Sequence, residues 1–291
     1  MIDLHLHSTA SDGTVAPAEL AGLGRDFAVM ALTDHDNTDG LAEFLVAARR
    51  ESPSQLRLSG IEFSVTPGKD CGQFHLLGLG FDPADARLRE YLRKIVAGRD
   101  ERNRRMLANF AKLGIEIGAA ELGEYANGEV LARPHFAAWL VDHGYAPDVV
   151  TAFERYLTRR SPAETCCYAE RYRPDPGEVI DVIHAAHGVA VMAHPRYYTE
   201  DPVKLRAELR RFKDRGLDGM EAVYQANYPH ETVEHLRIAR ELDLAITAGS
   251  DFHGANKPTV TLGMAVDDEK AFLEPLCMAL AARGSKFVLE N

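Results

Sequence analysis

Nine side chains of metal-ligand type recur along the chain in five short clusters: His5 and His7 with Asp12, then His35, then Glu62 with His75, then His194, and last Asp251 with His253. Each cluster is expected where a strand ends. Imidazoles and carboxylates without cysteine suit a hard-to-borderline divalent ion such as manganese, iron or zinc. One ion takes roughly four to six donors, so this set is large enough for two or three ions that share a bridging carboxylate. Clustered ions of that kind generate a hydroxide nucleophile and clamp a phosphoryl oxygen.

Spacing within the clusters carries part of the argument. On an extended strand, residues two apart point to the same face. His5 and His7 can therefore reach one ion, and Asp251 and His253 repeat the arrangement with an oxygen and a nitrogen. Asp12 follows in a polar loop, residues 8–13, able to fold back toward the same place. Glu62 stands alone in the apolar run Gly60-Ile61-Glu62-Phe63. A buried unpaired carboxylate is costly, and either a metal or an arginine would offset that cost. His75, in Phe74-His75-Leu76-Leu77, raises the same problem for an imidazole. In Thr33-Asp34-His35-Asp36, His35 is the assigned ligand, while Asp34 either caps the loop or orients a ligand histidine. Each piece has an ordinary reading, as a surface pair, a core histidine or a capping aspartate. Five strand-end clusters that all carry ligand types are hard to obtain from core packing alone.

The elements that must position these residues alternate along the chain. Strands are expected at residues 2–6, 28–32, 56–65, 74–79, 189–193, 219–224 and 244–248. Helices are expected at 17–27, from Thr38 or Asp39 as cap to 50, and at 178–187, 202–215, 229–242 and 269–282. Repeated βα units imply a parallel sheet. Ligands arriving from the C-terminal ends of several strands favour a closed barrel, whose strand ends share one mouth, over an open sheet with a single crevice. The expected α/β fold is therefore an irregular barrel of about seven strands, built from residues 1–81 and 175–291. Residues 82–174 break the alternation, with little strand signal and helical stretches at 84–113, 135–143 and 148–157. Proline and glycine mark the joints. This interval reads as a helical insertion that covers the barrel mouth and binds substrate.

A chain of 291 residues, 46% hydrophobic, can bury the core of one large domain with an insert. Its net charge of −11 repels nucleic acid and phosphorylated metabolites alike. Bulk binding of duplex DNA is thereby excluded, and an anionic substrate needs a local patch of metal ions and arginines. No stretch approaches a membrane span, and no leader is expected before the first strand. Cys71, Cys166, Cys167 and Cys277 form no CxxC pair, which suits a reduced, cytoplasmic setting. Arg99, Arg102 and Asn103 share one helix face, and the arginine fork matches phosphate oxygens. Arg133 precedes Pro134 and is expected to be extended at the start of the His135 helix, whose first turn offers backbone N–H groups to an anion. A solvated helix with Glu90 and Glu101 as ion-pair partners is the competing reading of the same spacing.

Together, His5-Leu6-His7, Thr33-Asp34-His35, Ala193-His194-Pro195 and Gly249-Ser250-Asp251-Phe252-His253 resemble the four motifs of the polymerase and histidinol phosphatase (PHP) family, over residues 1–80 and 178–260. The resemblance implies a distorted (β/α)7 barrel with up to three metals. One would take His5, His7, Glu62 and Asp251; a second would share Glu62 and add His75 and His194; a third would take Asp12, His35 and His253. Many relatives have histidine where this chain has Asp12, and the aspartate favours a harder ion, manganese ahead of iron or zinc.

The segments Gly98-Arg99-Asp100-Glu101-Arg102-Asn103 and Arg133-Pro134-His135-Phe136 resemble bacterial members of the family that hydrolyse 3',5'-nucleoside bisphosphates to a 5'-nucleotide and phosphate. Some such members also trim RNA from its 5' end. This resemblance implies a catalytic role for Glu62 and Asp251, substrate binding by Arg99, Arg102, Asn103, Arg133 and His135, and His135 as the candidate acid. The implied partners are a small phosphorylated nucleotide and short single-stranded RNA. Rival readings are a histidinol-phosphate-type phosphomonoesterase, an exoribonuclease, and a non-catalytic module stabilised by metal.

Overall fold

Seven strands follow one another round a single sheet in chain order: β1 (Ile2–Leu6), β2 (Val29–Leu32), β3 (Leu56–Ser64), β4 (His75–Leu79), β5 (Val189–Met192), β6 (Gly219–Tyr224) and β7 (Ala245–Gly249). The computed structural model describes residues 1–66, 71–126 and 131–287. The sheet closes where the chain beyond β7 meets β1: the Asp251 N–H donates to the His5 carbonyl at 2.8 Å, and the His7 N–H donates to the Phe252 carbonyl at 2.9 Å. The expected seven-stranded barrel is present.

One strand departs from the expected parallel sheet. β4 runs antiparallel to β3, with Ser64 opposite His75, and antiparallel to β5, with Leu77 opposite Val191. A parallel connection needs a crossover of a dozen or more residues. The link between Ser64 and His75 is too short to hold one, so the chain turns back on itself. His75 consequently lies at the start of its strand and not at the end. Because that strand is reversed, its start sits at the same rim as the other strands' ends.

Helices α1 (Pro17–Leu23), α2 (Leu41–Glu51), α7 (Pro176–Ala185), α8 (Pro202–Lys213), α9 (Pro229–Glu241) and α10 (Glu269–Arg283) accompany the barrel. Four of these six carry proline at the first turn, where its missing N–H is not needed. Asp175 caps α7 and Asp201 caps α8 through backbone N–H groups. At α2 the expected cap by Thr38 or Asp39 is absent. Gly40 occupies that position without a side-chain bond, and the Asp39 N–H is instead held by Asn37 Oδ1 at 3.0 Å. Ile2, Leu4, Val29, Ala31, Leu77 and Val191 form one buried core with Leu273, Leu276 and Leu280 of α10. On β1 the alternate residues Asp3 and His5 take the other face, as period two requires.

The chain divides into two compact units, residues 1–92 with 174–291, and residues 93–173. The second unit contains most of α3 (Ala86–Lys112), α4 (Ala119–Ala126), α5 (Arg133–Asp142) and α6 (Val149–Ala152), which runs into a π-helical turn at Phe153–Leu157. α4 carried no expectation from sequence. This unit has its own core, built on Met106, Phe110, Phe136, Trp139, Leu140 and Tyr156. Among the described residues no helix is long and apolar enough to cross a membrane.

Candidate metal centre

All nine residues of ligand type lie together at the rim of the barrel, in overlapping groups: His7, Asp12, His35 and His253; His5, His7 and Asp251; His5, Glu62 and His194; His35, Glu62 and His75. Local structure explains the gathering. His5 is on β1, and His7 directly follows it. Beyond β2 the chain keeps pairing with β3, since the Glu62 N–H donates to the Asp34 carbonyl at 3.2 Å and the Asp36 N–H to the Glu62 carbonyl at 2.9 Å. That pairing sets His35 beside Glu62. The loop after His7 folds back through hydrogen bonds from the Ser11 and Gly13 N–H groups to the Ser8 carbonyl, which returns Asp12 to the rim.

Glu62 is the hub. Its Oε1 lies 2.7 Å from His75 Nδ1, 2.9 Å from His194 Nε2 and 3.4 Å from His5 Nε2. Its Oε2 lies 2.9 Å from His35 Nδ1 and 3.2 Å from His7 Nε2. Asp251 Oδ1 faces His7 Nε2 at 3.4 Å and His5 Nε2 at 3.7 Å. Asp12 faces His253 Nε2 at 3.2 Å and His35 Nε2 at 3.7 Å. Four of these atoms, His5 Nε2, His7 Nε2, His35 Nδ1 and Glu62 Oε2, are buried and, close as they lie to one another, none is aligned to make a hydrogen bond. Buried polar atoms are normally satisfied. Orphans of both kinds that converge on one point are what a cation site leaves when only protein atoms are counted. The donor set therefore fits divalent ions.

At Glu62 and His75 the electrostatics agrees with that use. Burial disfavours the Glu62 carboxylate, yet His35, His75 and His5 outweigh it and hold its pKa well below the ordinary range. Burial lowers the pKa of His75 to about 4, only partly offset by Glu62, which leaves the ring neutral at physiological pH. An ionised carboxylate and a neutral imidazole are the forms that coordinate metal. His5 and His7 go the other way. Burial opposes their charge, but Glu221, Glu62 and Asp251 raise the pKa of His5, and Asp251, Glu62 and Asp12 bring His7 to about 10.

The supporting residues include several that the sequence reading missed. Glu221, fully buried on β6, faces His5 Nδ1 at 3.0 Å and accepts the His194 N–H at 2.7 Å. It fixes the His5 ring so that Nε2 points at Glu62. Gly249 makes room for it, since a Cβ there would stand 2.3 Å from both Glu221 Oε1 and His5 Cβ. Asp3 accepts from Ser250 Oγ at 2.6 Å and from the Gly263 N–H at 2.8 Å, and burial raises its pKa to about 6. Asp251 Oδ2 accepts from Lys257 Nζ at 2.6 Å and from the Tyr224 hydroxyl at 2.9 Å. Of the two readings of Asp34, the structure shows the loop role, and Asp34 reaches a ligand-type histidine only through Ser11, whose Oγ lies 3.4 Å from His7 Nδ1. The Asp34 carboxylate accepts from Ser8 Oγ at 2.7 Å and Ser11 Oγ at 2.6 Å and so pins the Asp12 loop. Three rim residues take left-handed backbone angles: Asp36, His194 and Asp251, with φ of 54°, 26° and 58°. Such strain concentrates at functional sites.

The expected substrate residues belong to the second unit. Arg99, Arg102 and Asn103 are all buried. Asn103 Nδ2 donates to the Leu131 carbonyl at 3.0 Å. Burial, then the charges of Arg99, Arg171 and Arg133, lower the pKa of Arg102 to about 9, so these four guanidiniums form one cationic cluster. Arg133 lies over the Tyr168 and Phe153 rings and donates to the Leu157 carbonyl. The competing ion pair through Glu101 is taken up elsewhere, by Arg104 at 2.6 Å. His135 Nδ1 accepts the Ala132 N–H at 3.0 Å, which places the proton of a neutral ring on Nε2.

No family model matches the chain. The 3',5'-nucleoside bisphosphate phosphatase of Chromobacterium violaceum is 36% identical over 285 residues, which cover 95% of this chain and 93% of that protein. The 5'-3' exoribonuclease Rnm of Salmonella typhimurium is 32% identical over 263 residues, covering 86% of this chain and 84% of that one. Among solved structures, an amidohydrolase from Chromobacterium violaceum with bound sulfate and no metal matches with a TM-score of 0.78 and 33% identity, over 97% of this chain and 96% of that one. A structure from Bifidobacterium adolescentis described as a metal-dependent phosphoesterase matches with a TM-score of 0.75 and 28% identity, over 95% of each chain.

Proposed function

The chain belongs to the polymerase and histidinol phosphatase family of metal-dependent phosphoesterases, and from that premise we propose that it removes the 3'-phosphate of 3',5'-nucleoside bisphosphates to give a 5'-nucleotide and inorganic phosphate. The observation that carries the reading is Glu62, buried among five histidines, with donor atoms around it that make no aligned hydrogen bond.

We assign one ion to His5, His7, Glu62 and Asp251, a second to Glu62, His75 and His194, and a third to Asp12, His35 and His253. Bound there, divalent ions would supply the charge that polarises a phosphoryl oxygen and acidifies an attacking water. The protein's part is to keep Glu62 and Asp251 anionic, which burial alone would oppose, and to hold the imidazoles at fixed angles through Glu221 and the Asp251 backbone. Asp12 adds an oxygen donor and inclines the site toward manganese over iron or zinc.

Two phosphates on one substrate call for two anion sites. Arg99, Arg102, Arg133 and Asn103 supply the second, for the 5'-phosphate that is not cleaved, since clustered guanidiniums are stabilised by an anion that bridges them. His135, with its proton on Nε2, is assigned as the donor to the leaving 3'-oxygen. No disulfide joins the four cysteines, in keeping with a reduced, cytoplasmic setting.

A second reading, stepwise trimming of short RNA from its 5' end, is favoured by the likeness to the exoribonucleases and uses the same residues. Phosphate and nucleotide release should be measured from a 3',5'-nucleoside bisphosphate, a 3'-monophosphate, histidinol phosphate and a short 5'-phosphorylated RNA, each with added manganese. The proposal expects the bisphosphate to exceed the 3'-monophosphate and histidinol phosphate. Equal rates on all three monoesters would remove the role given to the arginines.

A further inference from the structure

We propose that Tyr197 is the base-stacking residue of the site, receiving the nucleobase of the bound nucleotide at the rim of the metal centre. The inference rests on the nucleotide reading above and adds the group that recognises the base.

In a barrel of this kind the segments that follow the strand ends line the mouth. After β5 the chain passes through His194 into a short 3-10 turn, Pro195–Tyr197. Two neighbouring tyrosines there have opposite fates. Tyr198 is buried against Phe74 and Phe212. Tyr197 is 43% exposed. Its ring nevertheless lies beside the candidate ligands, with its centroid 5.3 Å from that of His194 and 5.9 Å from that of Tyr224, whose hydroxyl bonds Asp251.

The ring is also held from outside. The Arg196 guanidinium lies 5.8 Å from the Tyr197 centroid and 4.8 Å from that of Tyr228, at the start of α9. Arg196 is itself fixed, by the Ala226 carbonyl and by Glu231 at 3.5 Å. It thus ties the segment after β5 to the segment after β6. A cleft of about 410 Å³ lined by Arg196, Tyr228, His230 and Glu231 opens next to it.

A single exposed aromatic needs no explanation. This one abuts the ligand shell at His194, is braced by the Tyr224 ring and the Arg196 guanidinium, and keeps much of its surface open. Base–aromatic stacking is tolerant of base identity and is worth a large factor per base. A tyrosine held in place before binding loses little side-chain freedom when a base stacks on it.

The test compares wild type with Tyr197→Phe, Tyr197→Ala and Tyr197→Leu in the manganese-loaded protein. Calorimetry would give the affinity of each for 5'-AMP and for ribose 5-phosphate, which lacks the base, with bound manganese measured alongside. The ratio of the two affinities should fall roughly ten-fold in Tyr197→Ala and by a similar factor in Tyr197→Leu, which keeps bulk against His194. It should hold in Tyr197→Phe. Three results would each overturn the proposal: an unchanged ratio in the Ala and Leu variants, an equal loss for both ligands together with lost manganese, or a wild type indifferent to the base. None of them bears on phosphate release from bisphosphates, which judges the underlying reading separately.

Discussion

Glu62 and Glu221 are both fully interior acids on apolar strands, and they do different jobs. Glu62 gathers histidine nitrogens, whereas Glu221 holds one imidazole by its far nitrogen and the strained backbone of another candidate ligand. A carboxylate hydrogen-bonded to a ligand histidine fixes the ring and raises its basicity. Glu221→Gln should therefore weaken manganese binding roughly 10- to 100-fold, because one amide oxygen cannot replace two carboxylate oxygens. Calorimetric titration checks this, and an unchanged affinity would remove the role given to Glu221. The sequence made the nine rim residues visible because period-two spacing and a lone acid in an apolar run are local signals. Met220-Glu221-Ala222 and Ile2-Asp3-Leu4 carry the same lone-acid signal and went unread. Nothing local announces Lys257, whose contact with Asp251 depends on how the loop after β7 turns. The choice between the two readings of Asp34 was out of local reach for the same reason: its partners, Ser8 and Ser11, arrive from a different strand end.

At the level of elements, Asp218 is the joint that locks the base of β6 to its neighbours. Its Oδ2 accepts the Ala190 N–H from β5 and faces His184 Nε2 of α7, each at 2.8 Å, and its Oδ1 accepts from Arg283 of α10 at 2.7 Å. Burial would raise its pKa, but these partners outweigh it and the net shift is downward. A depressed folded pKa means that the stabilisation is present above the unfolded value and is lost as pH falls through the folded one. Asp218→Asn should cost about 1–3 kcal/mol at pH 7, and the gap to wild type should narrow as the pH drops below about 4. Urea unfolding at both pH values tests this; a gap independent of pH would mean that the carboxylate's charge contributes nothing. Strands and barrel helices were legible to within a few residues because apolar periodicity and first-turn prolines mark them. The reversal of β4 was not legible from its own residues, since an apolar run reads alike in either direction. The shortness of the preceding link was the available clue.

Across the whole molecule, a net charge of −11 must coexist with an anionic substrate. The arginine cluster of the second unit and the ions of the first are the two local exceptions to that field. Gathering Arg99, Arg102, Arg133 and Arg171 costs stability, because burial and mutual repulsion depress the pKa of Arg102. Arg102→Met should accordingly leave the melting temperature unchanged or higher while raising KM for the bisphosphate roughly 10- to 100-fold. A fall in stability with KM unchanged would make the cluster architectural. The sequence located Arg99 and Arg102 on one helix face but could not say that they are buried, because a solvated helix shows the same spacing. The most direct test of the account is to count manganese bound per chain, by elemental analysis after chelation and reloading, in wild type and in Glu62→Ala, with phosphate release from a 3',5'-nucleoside bisphosphate followed on the same samples. The account predicts roughly two to three ions and manganese-dependent release in wild type, and in the variant the loss of release together with the two ions assigned to Glu62, leaving at most the one assigned to Asp12, His35 and His253. Full occupancy and full activity in Glu62→Ala, or a wild type that neither binds nor responds to manganese, would contradict it.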